Sequence, residues 1–170
     1  MATIDLVQAK FKHGPNGGAV ISRGGSGEEA NSAYAKSGES WDAGAWLVRD
    51  SNGEITELGS GVPAKILGQA LESESSATAG DPVFYRPLRA GSVLIVNVHH
   101  DTAASAVTAR NQMDAPHFNF SYDSGKLGLD IETAVDTGKP MGRIVRFLDT
   151  LGDINGRIEV EVIDNVALQA

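Results

Sequence analysis

The feature that most limits what this chain can fold into is the strict alternation of "RIEVEVID", residues 157–164. Ile158, Val160 and Val162 fall on one side of it, with Glu159, Glu161 and Ile163 on the other. A period of two suits a half-buried strand and is incompatible with a helix, whose faces repeat every 3.6 residues. The same texture returns in "WLVRDSNGEITEL" (46–58) and "FNFSYDSGKLGLDIE" (118–132), each interrupted by a glycine-containing turn. "VLIV" (93–96), prolonged past Asn97 by Val98, is the unbroken apolar run of a strand buried on both faces. "PVFYRPL" precedes it through Arg89-Ala90-Gly91, and "RIVRFLD" precedes the final alternating run.

Eight or so short strands at regular spacing, with Gly-rich turns, predict an all-β fold: an antiparallel barrel or sandwich. Residues 1–40 read as an extended Gly-rich N-terminal arm and residues 41–170 as the barrel or sandwich domain. At most one or two short helices are expected. Ser26-x-x-Glu29 has the spacing of a capping box, opening a helix to about Lys36 that Gly38 would end. Residues 101–113 read as a short helix capped by Asp101, or as a long loop.

Two copies of Asp-x-Asn-Gly, at Asp50–Gly53 and Asp153–Gly156, pose the question of calcium. A helix–loop–helix calcium loop needs oxygen ligands at positions 1, 3 and 5, glycine at 6 and glutamate at 12. With glycine at position 6, the first position falls on Val48 or Leu151 and the twelfth on Gly59 or Val162. Both ends of the ligand set are missing, whereas Asn-Gly suits a hairpin turn. Both copies read as corners.

The chain has no cysteine, which excludes disulfides, thiolate metal sites and thiol catalysis. "MATIDLVQAKFKHG" lacks the basic and apolar regions of a signal peptide, and no run of 18 apolar residues exists. A soluble protein made in a cytoplasm, with no membrane partner, is the expectation. A net charge of −8 with scattered Lys and Arg leaves no basic stripe for direct nucleic-acid binding.

Catalytic constellations are thin. His99 and Asp101 can share a face of a strand end, but they leave a metal two ligands short unless His117 or His13 joins them. Neighbouring His100 would point the other way. No G-x-S-x-G elbow is present, and "GGSGEEAN" lacks the Lys-Ser/Thr of a phosphate loop. Alternating glutamates read as a solvated strand face rather than as a carboxylate pair across a cleft. Asn119-Phe120-Ser121 has glycosylation spacing without a secretion signal to support it. The expectation is a protein that is not an enzyme and carries no cofactor or metal.

The run "ATAGDPVFYRPLRAGSVLIV", the alternating "FNFSYDSGKLGLDIE", and "RIVRFLDTLGDINGRIEVEVI" resemble the small β-rich head proteins of tailed bacteriophages, above all the capsid decoration (cement) proteins. The resemblance covers residues 41–165. It implies a virion protein, dimeric or trimeric, on the capsid outer surface, bridging subunits of the major capsid protein and often stapled there by terminal arms. Ordering a Gly-rich arm costs about 1–2 kcal/mol of backbone entropy per residue, so contacts must offset it. The arm either wraps its own barrel or docks on neighbouring subunits, and the resemblance favours the second. The anchors expected for docking are Ile4, Leu6, Val7 and Phe11, with Tyr34 and Trp41; ordinary core packing is the competing role for each. Deleting residues 1–12 should then weaken attachment and leave the barrel folded. The alternative is a β-sandwich binding module, such as a tail, fibre or carbohydrate-binding domain, with Phe118, Phe120 and Tyr122 as an exposed aromatic row.

Overall fold

The computed structural model describes residues 2–14, 31–59, 63, 66–99, 117–131, 136 and 138–164. The fold is all-β, with no helix among the described residues. Among the described residues eleven strands form two sheets, antiparallel apart from one parallel pairing: β1 (Lys10–His13), β2 (Asn31–Tyr34), β3 (Trp46–Arg49), β4 (Ile55–Glu57), β5 (Gly68–Ala70), β6 (Pro82–Pro87), β7 (Val93–His99), β8 (Phe118–Asp123), β9 (Lys126–Asp130), β10 (Met141–Phe147) and β11 (Arg157–Asp164).

The first sheet runs β1-β7-β11-β10-β8-β9 and then returns on itself, because β9 pairs in parallel with β7 from Asn97↔Gly128 to His99↔Asp130. Five strands thus close a barrel. The other half of the same β7 edge is taken by β1, with Lys10 opposite Ile95 and Phe11 opposite Leu94. Period-two alternation supplies the interior: Leu94, Val96 and Val98 from β7, Phe118, Phe120 and Tyr122 from β8, and Ile158, Val160 and Val162 from β11 share one core.

The second sheet runs β2-β6-β5-β3-β4. Just past β2, Ala35 bridges Ile55 in parallel and the Lys36 amide donates to the Ile55 carbonyl at 3.0 Å. The two outer strands are thereby brought together, and a smaller core fills the space they enclose: Trp41, Leu47, Ile55, Leu67, Val83 and Tyr85. Neighbouring residues on β3 serve different cores. Trp46 enters the barrel core and Leu47 the smaller one, both fully buried. Leu58, Ile66 and Leu88 join Trp46, so the two cores are stitched through the strands between them.

Several sequence expectations change here. The helix expected to reach Lys36 is, over Asn31–Tyr34, the strand β2 paired along β6 from Asn31↔Tyr85 to Tyr34↔Pro82. Cross-strand pairing overrides the capping-box spacing, because the segment has too few large apolar residues to bury a helical face. Residues 101–113 and most of the Gly-rich stretch lie outside the described residues. The two strands joined by Arg89-Ala90-Gly91 are both present and fall in different sheets, β6 in the second and β7 in the first.

The turns divide as well. At the first Asp-x-Asn-Gly, the Asp50 carboxylate accepts the Asn52 and Glu54 amides at 2.8 and 3.0 Å, and Gly53 takes φ +84°. This is a tight hairpin turn with a left-handed glycine, and its carboxylate is spent on closing it. The second copy lies in the longer connection from β10 to β11, where the Asp153 carboxylate accepts the Ala2 amide at 2.7 Å. Between β8 and β9 the turn is a two-residue one, with both Ser124 and Gly125 at positive φ.

Candidate interaction surface

The residues expected to anchor a partner are dispersed by the fold. The chain from Ala2 to His13 runs along its own barrel. Ile4 donates its amide to the Ile154 carbonyl at 2.9 Å, and Ile154 returns the bond to Ala2 at 2.9 Å. The Asn97 side chain, fully buried, accepts the Val7 amide at 2.9 Å and donates to the Asp5 carbonyl at 3.3 Å. Ala9 is buried in the core, and its carbonyl accepts from the Trp46 indole at 3.2 Å and the Gln69 amide at 2.9 Å.

Phe11 packs on Trp46, ring centroids 5.5 Å apart, beneath the Arg86 guanidinium at 4.0 Å. It therefore takes the core-packing role. Trp41 is buried in the second core, Ile4 and Leu6 are half-buried, and Val7 is exposed. Tyr34 is the outlier, 67% exposed.

Tyr34 has a neighbour that sequence reading missed. On β2 it stands opposite Pro82 of β6, and Phe84, two residues further along β6, lies on the same face at the diagonal position. Phe84 is 44% exposed, whereas Val83 and Tyr85, on the opposite parity, are buried in the second core. "PVFYRP" is apolar on both parities, so alternation gives no sign that one face is open. Together Tyr34, Pro82 and Phe84 make an apolar face on a hydrogen-bonded sheet.

The surface beside this face is acidic. Trp41 and Glu74, joined by reciprocal backbone bonds of 3.0 and 2.8 Å, border both Phe84 and an open groove of about 620 Å³. That groove carries Asp42, Glu57 and Glu74, with Lys126 the one cation among the described residues lining it. The Tyr122 hydroxyl donates to Glu57 at 3.3 Å, and burial, reinforced by that carboxylate, pushes the phenol up to about 12.

The outer face of the barrel is charged in a different way, for its acids carry their own cations. Glu159, buried on the exterior of β11, accepts from Arg146 at 2.6 Å and Lys12 at 2.7 Å. These bonds, Arg146's first, hold its carboxyl down to about 2 against a burial effect of opposite sign. Arg143 pairs with Glu161, and Arg157 grips Asp149 through Nε at 2.9 Å and Nη2 at 2.7 Å. The solvated glutamate row expected from alternation is in fact a cross-strand ion-pair network, with Lys12 tying β1 into it.

The other candidate sites resolve as follows. Phe118, Phe120 and Tyr122 are buried in the barrel interior, so the exposed aromatic row does not exist. Their spacing correctly puts them on one face; ring closure turns that face inward. His99 is buried on the barrel exterior, its Nδ1 2.7 Å from Ser121 Oγ. His100 and Asp101 lie outside the described residues, and His13 Nδ1 sits 2.9 Å from the Gly14 carbonyl. No group of three or more His, Asp or Glu side chains among the described residues is placed to hold a metal. Among the described residues no helix is long and apolar enough to cross a membrane. The chain matches no protein-family model, no curated protein sequence and no solved structure.

Proposed function

We propose that this chain is a structural virion protein that binds the outer surface of a tailed-phage capsid and bridges major capsid subunits, stabilising the shell. The observation that supports the reading is the Tyr34–Pro82–Phe84 face: two aromatic side chains 67% and 44% exposed on neighbouring strands of a closed sheet. Aromatic groups presented on a stiff scaffold bury much area for little lost side-chain freedom, and they dominate the energetics of protein interfaces. Repetition over a lattice, with two or three copies in each oligomer, turns a modest single contact into strong retention by avidity.

Docking in this reading runs through the second sheet. Residues 2–14 are committed to the barrel and act as part of its wall, while Tyr34 is the one of the six expected anchors that stands far out in solvent. No catalytic step or cofactor belongs to the mechanism, which is mechanical: area buried across shell subunits opposes their separation.

The test is an inventory of purified particles produced with this protein, by quantitative mass spectrometry and immunogold labelling. A copy number scaling with the shell subunits, and label on the outside of intact heads, is the expected result. Absence from particles, or a location confined to the interior or the tail, would refute it.

A further inference from the structure

We infer that the surface taken by the Tyr34–Phe84 face is a protein surface with an apolar centre and a basic margin. The inference rests on the docking role proposed above and specifies the chemistry of the partner. Pro82 and Phe84 share a shallow depression with Glu72, Ser73, Glu74 and Trp41. Trp41 and Glu74 also line the groove that carries Asp42 and Glu57. The backbone here is fixed: besides the Trp41–Glu74 pair, the Leu71 amide donates to the Phe84 carbonyl at 3.0 Å. The backbones that carry Glu74 and Phe84 are thus held in one sheet-like frame.

Charge decides the kind of partner. Among the described residues Asp42, Glu57 and Glu74 enter no ion pair, in contrast to Glu159, Glu161 and Asp149 on the barrel, each held by its own cation. Three carboxylates face one ammonium, Lys126, across a concave wall, and a concave wall concentrates the field of its charges. An opposing surface gains by bringing Lys or Arg to that rim, while acidic proteins, nucleic acids and anionic lipids are repelled. The apolar centre supplies the contact area and the acidic rim fixes its orientation.

Two assays on the full chain separate this inference from the function proposed above. In the first, a fluorescent decapeptide of Lys, Arg, Leu and Trp is titrated with the protein, with a Glu-for-Lys/Arg peptide as control. The basic peptide alone should bind, and D42N/E74Q and Y34A/F84A should each weaken it about tenfold or more. Moving from 50 to 500 mM salt should weaken it to a similar degree. Equal binding of the two peptides, no binding of the basic one, or indifference to D42N/E74Q would overturn the inference.

The second assay is co-sedimentation with shells lacking the chain, using the same variants and, as a control, E161Q in the ion-pair network of the barrel strands. Shell binding that E161Q leaves intact and D42N/E74Q abolishes supports both ideas. Shell binding indifferent to D42N/E74Q sinks the basic-margin inference and leaves the shell role standing. Selective peptide binding without shell binding supports the partner chemistry and refutes the shell role.

Discussion

Deleting residues 1–12 should unfold or severely weaken the barrel, and the cost can be worked from individual contacts. The deletion removes the Ala9 carbonyl from the Trp46 indole and the Gln69 amide, and the Asp5 and Val7 backbone from Asn97. It also takes Lys12 from Glu159. A buried polar group left without its partner costs about 1–3 kcal/mol, and water entering the opened edge favours the low end. Two such groups, the Trp46 indole and the Asn97 side chain, come to about 2–3 kcal/mol, for Gln69 keeps its bond to the Gly44 carbonyl. Losing the half-buried Phe11 from against Trp46 adds about 1 kcal/mol, since a fully buried side chain of that size is worth about 1.5–3. The total, about 3–4 kcal/mol, is a large part of the roughly 5–15 kcal/mol typical of a domain. Urea denaturation of full-length and truncated chains, followed by Trp fluorescence, measures it directly. Hydrogen exchange on the intact protein alone should show the Ile4 and Val7 amides protected with the barrel. A truncated chain within about 2 kcal/mol of the parent, with β7 still protected, would refute the reasoning. It would restore the earlier expectation of a dispensable docking arm.

Other predictions follow from single contacts. At Gly68 a Cβ would lie 2.0 Å from the Arg86 carbonyl oxygen and 2.9 Å from the Pro87 Cα, backbone atoms that cannot turn aside. Gly68→Ala should therefore cost about 3 kcal/mol or more in urea denaturation, whereas Gly59→Ala, with nothing nearby, should be neutral. Glu159 holds its carboxyl near 2 rather than the ordinary 4.5, so its contribution is complete above pH 4.5 and is lost as pH falls toward 2. Lys12 and Arg146 reach solvent, so screening reduces that contribution to about 1–2 kcal/mol; Glu159→Gln should flatten the stability profile in this window. The Tyr122 phenol, at about 12, should stay protonated well past the ordinary value of 10, as the difference in 295 nm absorbance titration against Tyr122→Phe will report. Because its pKa is raised on folding, its contribution to stability is full below pH 10 and disappears as pH rises toward 12.

Much of the fold was legible because strand periodicity is a local property. Ile158, Val160 and Val162 declare a shared face from spacing alone, and that face is the barrel interior. The Asp123-Ser124-Gly125 turn was readable for the same reason, since backbone preference acts within a few residues. The helix expected before Lys36 shows the limit: a capping signal of four residues yields to a strand partner some fifty residues away.

The candidate surface was harder to see. Tyr34 stood among six proposed anchors with nothing to rank it above Trp41, which is buried, and Phe84 carried no signal at all. Exposure of an apolar residue depends on what the rest of the chain places over it, which no local pattern encodes.

The sequence by itself determined most of the strands from Trp46 onward, their corners and which side chains share a face, because these follow from backbone sterics and a two-residue period. Only the tertiary structure decided which of two faces points inward. Closure of β9 onto β7 turned the Phe118–Tyr122 row into core, and pairing of β2 with β6 left Tyr34 and Phe84 outside. A period of two is symmetric between the faces of a sheet, and only long-range pairing removes that symmetry.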